Sequence, residues 1–218
     1  MRNLAVAILL SVVAFSPATL ARAAPLRVLA FGDSLTQGYG LDPGEGLVPV
    51  LEAWLRARGH DVTLINAGVS GDTTAGGKAR IGWALGEGAD AVIVALGGND
   101  MLRGLPPAEA RANLDAVLAA VAPRPVLLVG LSAPGNFGPE YKAEFDAVYP
   151  DLAAAHGALL LPDLLSPLTG QADQVAVLRD LMQPDGIHPN AKGVTLVVEA
   201  LGPRVEELLA RVAPASGG

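Results

Sequence analysis

The sequence predicts an α/β protein, a three-layer α/β/α sandwich around a five-stranded parallel sheet. Three observations carry that expectation. Short apolar runs alternate along the chain with longer segments of helical periodicity. One run, Ala91–Leu96, is apolar without interruption, as a strand covered on both faces must be. Strands separated by helices, not by tight turns, pair in parallel with crossover connections.

The elements follow in order. Arg27–Phe31 reads as the first strand, ending at Gly32, and Val48–Arg58 as a helix stopped by Gly59. Val62–Ala67 is the second strand and Thr74–Leu85 a helix of weaker pattern. Ala91–Leu96 is the third strand, and Pro107–Ala122 a helix with proline in its first turn. Pro125–Leu131 is the fourth strand, Glu140–His156 the next helix and Ala158–Leu161 a short fifth strand. Asn190–Arg211 closes the fold, with Asn190 placed as N-cap, and Pro214–Gly218 is a frayed tail.

Composition removes several functions. Fifteen basic against 22 acidic residues give a net charge of −7, with no Lys/Arg cluster of the kind that neutralises phosphates, so no nucleic-acid partner is expected. Aromatic residues at 4% leave little for base stacking or for a sugar platform. Without cysteine there is no disulfide, zinc–thiolate site or thiol nucleophile. The first 23 residues read as a secretory signal, with Arg2, an apolar run from Leu4 to Phe15, and small residues at Ala21 and Ala23. That run is too short to span a bilayer. The expectation is an exported protein, periplasmic or secreted, with residues 24–218 as one domain and no stable membrane insertion once the signal is removed.

In doubly wound sheets, ligands bind outside the carboxyl ends of the strands. Four segments fall there. After the first strand comes Gly32-Asp33-Ser34-Leu35-Thr36, which sets a hydroxyl at a helix-like turn. Taken alone, Ser34 reads first as an ordinary N-cap, and Thr36 stands where a nucleophile elbow needs glycine. Asp33 reads as a turn-former. After the second strand comes Gly68-Val69-Ser70-Gly71-Asp72, where Gly71 lets the backbone N–H approach a ligand. After the third comes Gly97-Gly98-Asn99-Asp100, with an amide donor at Asn99. Before the last helix comes Asp185-Gly186-Ile187-His188, where Gly186 allows the carboxylate to hold one ring nitrogen and leave the other as a base. His60 and His156 read as solvated turn residues. No phosphate loop or dinucleotide fingerprint is present, and one His with one Asp is a poor metal site. The four segments together supply a nucleophile, a base, its orienting acid and three donors for an oxyanion, the parts of acyl transfer.

These blocks resemble those of the SGNH (GDSL) hydrolases. The stretches Ile65–Thr73 and Leu96–Gly104 are similar to the thioesterase I / lysophospholipase L1 / arylesterase branch. The resemblance implies a flavodoxin-like fold, a triad of Ser34, Asp185 and His188, and an oxyanion hole of Ser34, Gly71 and Asn99. The segment Ser132–Gly138 matches that branch only in part. Leu35, Leu102, Leu105, Phe137, Ile187 and Pro189 lie near the expected mouth and are assigned to the acyl or aryl group. The implied reaction is hydrolysis of carboxylic esters and thioesters, including aryl esters, acyl-CoA-type thioesters and lysophospholipids. It needs no cofactor or metal, and a monomer is favoured. Two other readings stand beside it: a carbohydrate O-deacetylase of the same superfamily, and an exported binding protein without catalysis.

Overall fold

A computed structural model of the chain describes residues 24–212; the expected signal segment and the Pro214–Gly218 tail lie outside the described residues. Five strands, β1 (Leu26–Gly32), β2 (Val62–Gly68), β3 (Ala91–Ala95), β4 (Val126–Val129) and β5 (Leu159–Leu161), form one sheet in the order β2-β1-β3-β4-β5. Every pairing is parallel, with Leu29 opposite Ile65 and Val92, and Ile93 opposite Leu127. The expected three-layer α/β/α sandwich is therefore the observed one.

Alternation along the strands sorts the apolar residues into two cores. Val28, Ala30, Ile93, Leu127 and Val129 face one side, where α2 (Leu47–Ala57) and α9 (Ala191–Ala210) cover them. Leu29, Phe31, Val92, Val94 and Leu128 face the other, beneath α3 (Thr74–Leu85), α5 (Pro107–Val121) and α6 (Pro139–His156). Both faces are buried, which explains the uninterrupted run in β3. On the first side α2 and α9 approach closely because Gly202 lies against the Trp54 ring, which a side chain there would strike.

Short helices unmarked in the sequence complete the chain: α1 (Ser34–Gln37), α4 (Gly98–Leu102), α7 (Ser166–Thr169) and α8 (Gln174–Asp180), plus a 3₁₀ turn at Gly135–Phe137. β4 stops at Val129, short of the expected Leu131. Gly130 N–H donates to the carbonyl of Leu161, and Leu164 N–H to that of Gly130, as the chain leaves the sheet. His60 is partly exposed to solvent and His156 exposed, and each also pairs with a carboxylate, Glu206 at 2.9 Å and Asp115 at 2.6 Å. Among the described residues no helix is long and apolar enough to cross a membrane.

The strand order reverses between β1 and β3. The crevice this creates lies at their carboxyl ends, and Ser34 and Asn99 follow those two strands directly.

Candidate active site

Gly32 ends β1 and Asp33 caps α1, its Oδ1 accepting from Leu35 N–H at 3.0 Å. Ser34 is the first residue of that helix, so its own N–H has no intrahelical acceptor. Asp33 is 3% exposed; burial raises its carboxyl to about 6, against the lowering effects of the Leu35 N–H and nearby His188. Ser34 Oγ lies 2.8 Å from His188 Nε2, and His188 Nδ1 lies 2.7 Å from Asp185 Oδ2.

The loop that carries His188 is built around Asp185. Gly186 adopts a left-handed φ of 68°, and the chain folds back so that Asp185 Oδ1 accepts from Ile187 N–H at 2.9 Å and His188 N–H at 3.0 Å. Partial burial raises the Asp185 carboxyl, but the His188 backbone and ring donors and the Ile187 N–H outweigh it and bring it down to about 2. An ionised Asp185 accepts from Nδ1–H, which leaves Nε2 to accept the Ser34 hydroxyl proton.

Two further segments meet Ser34 from across the crevice. Gly97, at φ 119°, starts α4 and places Asn99 in its first turn; the Tyr149 hydroxyl, which donates to the Leu96 carbonyl at 3.0 Å, occupies the space a side chain at Gly97 would need. Asn99 Nδ2 donates one hydrogen to the Asp72 carbonyl at 3.0 Å, leaving its second hydrogen for the cleft. Gly71 lines the same cleft with φ 78°, its carbonyl fixed by Arg103 Nη2 at 2.8 Å. Buried Asp100 accepts from Thr74 N–H at 2.8 Å and Thr74 Oγ1 at 2.6 Å, locking the β2–α3 and β3–α4 junctions together.

The cleft has a volume of about 370 Å³. Of the six apolar residues expected at the mouth, Leu35, Leu102 and Ile187 line it. Pro189 lines a smaller slot of about 20 Å³ that shares Ser34 and His188 with the cleft. Leu105 and Phe137 line neither. Gly104, at φ 61°, turns the chain so that the Leu105 carbonyl accepts from Tyr141, while Phe137 packs over Gly104 and against the Tyr141 ring. Sequence reasoning missed Tyr39, Met101, Leu131 and Leu165, which all line the cleft. Met101 stands beside the assigned Leu102 and could have been found there; Tyr39, Leu131 and Leu165 reach the cleft from segments that no motif marks.

A serine hydroxyl, an imidazole and a carboxylate hydrogen-bonded in series are the arrangement of serine hydrolases. Here it stands on a doubly wound sheet whose nucleophile-bearing turn lacks the second glycine of the elbow, which sets the protein apart from the G-x-S-x-G hydrolases. The chain belongs to the GDSL-like lipase/acylhydrolase family, whose model matches residues 30–196. It is 38% identical over 191 residues to Esterase TesA of Pseudomonas aeruginosa, covering 86% of this chain and 92% of that protein. It is 31% identical over 194 residues to Thioesterase 1/protease 1/lysophospholipase L1 of Escherichia coli (strain K12), covering 88% of each. The crystal structure of AlinE4, an SGNH-hydrolase family esterase, superposes with a TM-score of 0.70 at 44% identity, over 87% of this chain and 99% of that one.

Proposed function

We propose that the chain is a serine esterase that hydrolyses carboxylic esters and thioesters of short to medium acyl groups through an acyl-enzyme on Ser34. The observation that carries this reading is the unbroken series Ser34 Oγ, His188 Nε2, His188 Nδ1 and Asp185 Oδ2, with separations of 2.8 and 2.7 Å. His188 takes the hydroxyl proton as Ser34 Oγ attacks the acyl carbon, and Asp185 stabilises the imidazolium. The Ser34 and Gly71 N–H groups and the Asn99 amide receive the oxyanion. The imidazolium then protonates the leaving alcohol or thiol. Water, activated by the same ring, hydrolyses the acyl-enzyme and frees Ser34.

The substrate range follows from the walls. Leu35, Met101, Leu102, Leu131, Leu165 and Ile187 make the cleft mostly apolar, and such walls separate acyl lengths weakly. Aryl esters, acyl-CoA-type thioesters and lysophospholipids share the acyl feature this cleft accepts. The leader pattern of residues 1–23 supports export of the enzyme to the periplasm or medium.

Covalent labelling by a fluorophosphonate tests the reading. The wild-type chain takes one label, Ser34→Ala takes none, and the same substitution removes ester hydrolysis. Persistent labelling of the alanine variant would place the nucleophile elsewhere.

A further inference from the structure

Three side chains meet the His188 imidazole through a hydrogen bond or a ring contact. Two are Ser34 and Asp185; the third is Tyr39, whose ring centroid lies 4.9 Å from that of His188 with the planes at 42°. Tyr39 is 53% exposed, so burial in a core does not hold it there. Its backbone does. Gln183 Nε2 donates to the Tyr39 carbonyl at 2.8 Å and to that of Pro189 at 3.1 Å, while Gln183 N–H donates to the His188 carbonyl at 2.8 Å. Gly40, at φ 73°, makes room for this clamp, because a side chain there would strike Gln183 Oε1. One glutamine therefore ties the segment following α1 to the loop that carries the base.

We propose that Tyr39 is a positioning residue whose ring stabilises the His188 imidazolium formed when the imidazole takes the Ser34 proton. An aromatic ring attracts a cation that lies over its face within about 6 Å of its centroid. The acids that act on His188 are Asp185 on its own loop and Asp33 at the β1–α1 junction. Both remain when Tyr39 is replaced, so a substitution there leaves the carboxylates around His188 in place. The proposal rests on Ser34 and His188 acting as nucleophile and base.

The test compares the wild type with Tyr39→Phe and Tyr39→Leu on p-nitrophenyl butyrate across pH, with rates normalised to sites labelled by a fluorophosphonate. Normalisation removes any fraction that fails to fold. Tyr39→Phe keeps the ring and stays within about twofold of wild type. Tyr39→Leu loses roughly three- to fivefold in kcat. Its acid limb of kcat/KM moves down by about half a pH unit, because a less stabilised cation gives up its proton at lower pH. Equal behaviour of the two variants would overturn the proposal, since either the ring is immaterial or the hydroxyl is what matters. A higher KM in Tyr39→Leu with kcat and the limb unchanged would also overturn it, reducing Tyr39 to a substrate contact. A wild type that takes no label would instead remove the serine esterase reading on which the proposal rests.

Discussion

Asn99 commits one amide hydrogen to the Asp72 carbonyl and keeps the other for the cleft, so one side chain both fixes the crevice and can serve the oxyanion of the proposed reaction. A donor aimed at developing charge acts mainly in the transition state. Asn99→Ala therefore lowers kcat by about 10²–10³ and leaves KM within a few-fold. Steady-state kinetics on a soluble aryl ester check this, and an unchanged kcat would remove Asn99 from the oxyanion hole. Ser34, Gly71, Asn99 and the Asp185–His188 pair stood out in the sequence because each is a polar or glycine position beside a strand end or a proline-bounded turn. Tyr39 and Leu165 did not, since what brings them to the cleft is three-dimensional. Leu105 and Phe137 fail in the opposite way: the left-handed turn at Gly104 carries the Leu105 carbonyl to Tyr141 of α6, and Phe137 packs over that turn and against the same Tyr141 ring instead of entering the cleft.

At the scale of elements, Arg80 of α3 joins three parts of the site. Its Nε donates to Asp72 Oδ2 at 2.7 Å, Nη1 to the Ala67 carbonyl of β2 at 2.9 Å and Nη2 to the Gly32 carbonyl of β1 at 2.8 Å, with the guanidinium over the Phe31 ring. Lysine has no planar fork to reach these three acceptors at once. Arg80→Lys leaves one or more of them unpaired in a part-buried place and costs about 2–3 kcal/mol, read from urea unfolding. A loss below about 0.5 kcal/mol would mean that water replaces the fork. The variant also loosens Asp72, whose carbonyl holds Asn99, so kcat falls with stability. The five strands and the helices that cover them were legible because burial on both faces leaves long apolar patterns. The short helices were not. α4 is five residues opened by a glycine at positive φ, and α1 and α7 are four residues each, too short to carry a period. Tertiary contacts, such as Thr74 to Asp100, hold them in place.

For the whole molecule, stability and catalysis draw on ionisations that run against each other. Asp33 binds its proton more tightly in the folded chain, at about 6, than its ordinary 3.8. Between about pH 4 and 6 the unfolded chain has lost that proton while the folded chain still holds it. Stability from this group thus falls as pH rises through the window and stays low above it, by about 3 kcal/mol at 1.36 kcal/mol per unit. Burial raises Asp163 too, in the same direction. Asp185 works oppositely: its carboxyl is held down to about 2, so its contribution is present above its ordinary 3.8 and is lost on acidification toward 2. The two sets leave least penalty near pH 4, whereas the proposed reaction needs an unprotonated His188 ring and an ionised Asp185, both of which acid removes. Asp33→Asn separates the effects, because an amide oxygen can still accept from Leu35 N–H but never carries the buried charge. The variant is expected to match the wild type near pH 4 and to exceed it by about 2–3 kcal/mol at pH 7.5, measured as urea midpoints at both pH values. A stability difference that does not change between the two would show that water or a neighbouring donor relieves the buried carboxylate, and that the acid next to the nucleophile carries no cost at the pH where the enzyme works.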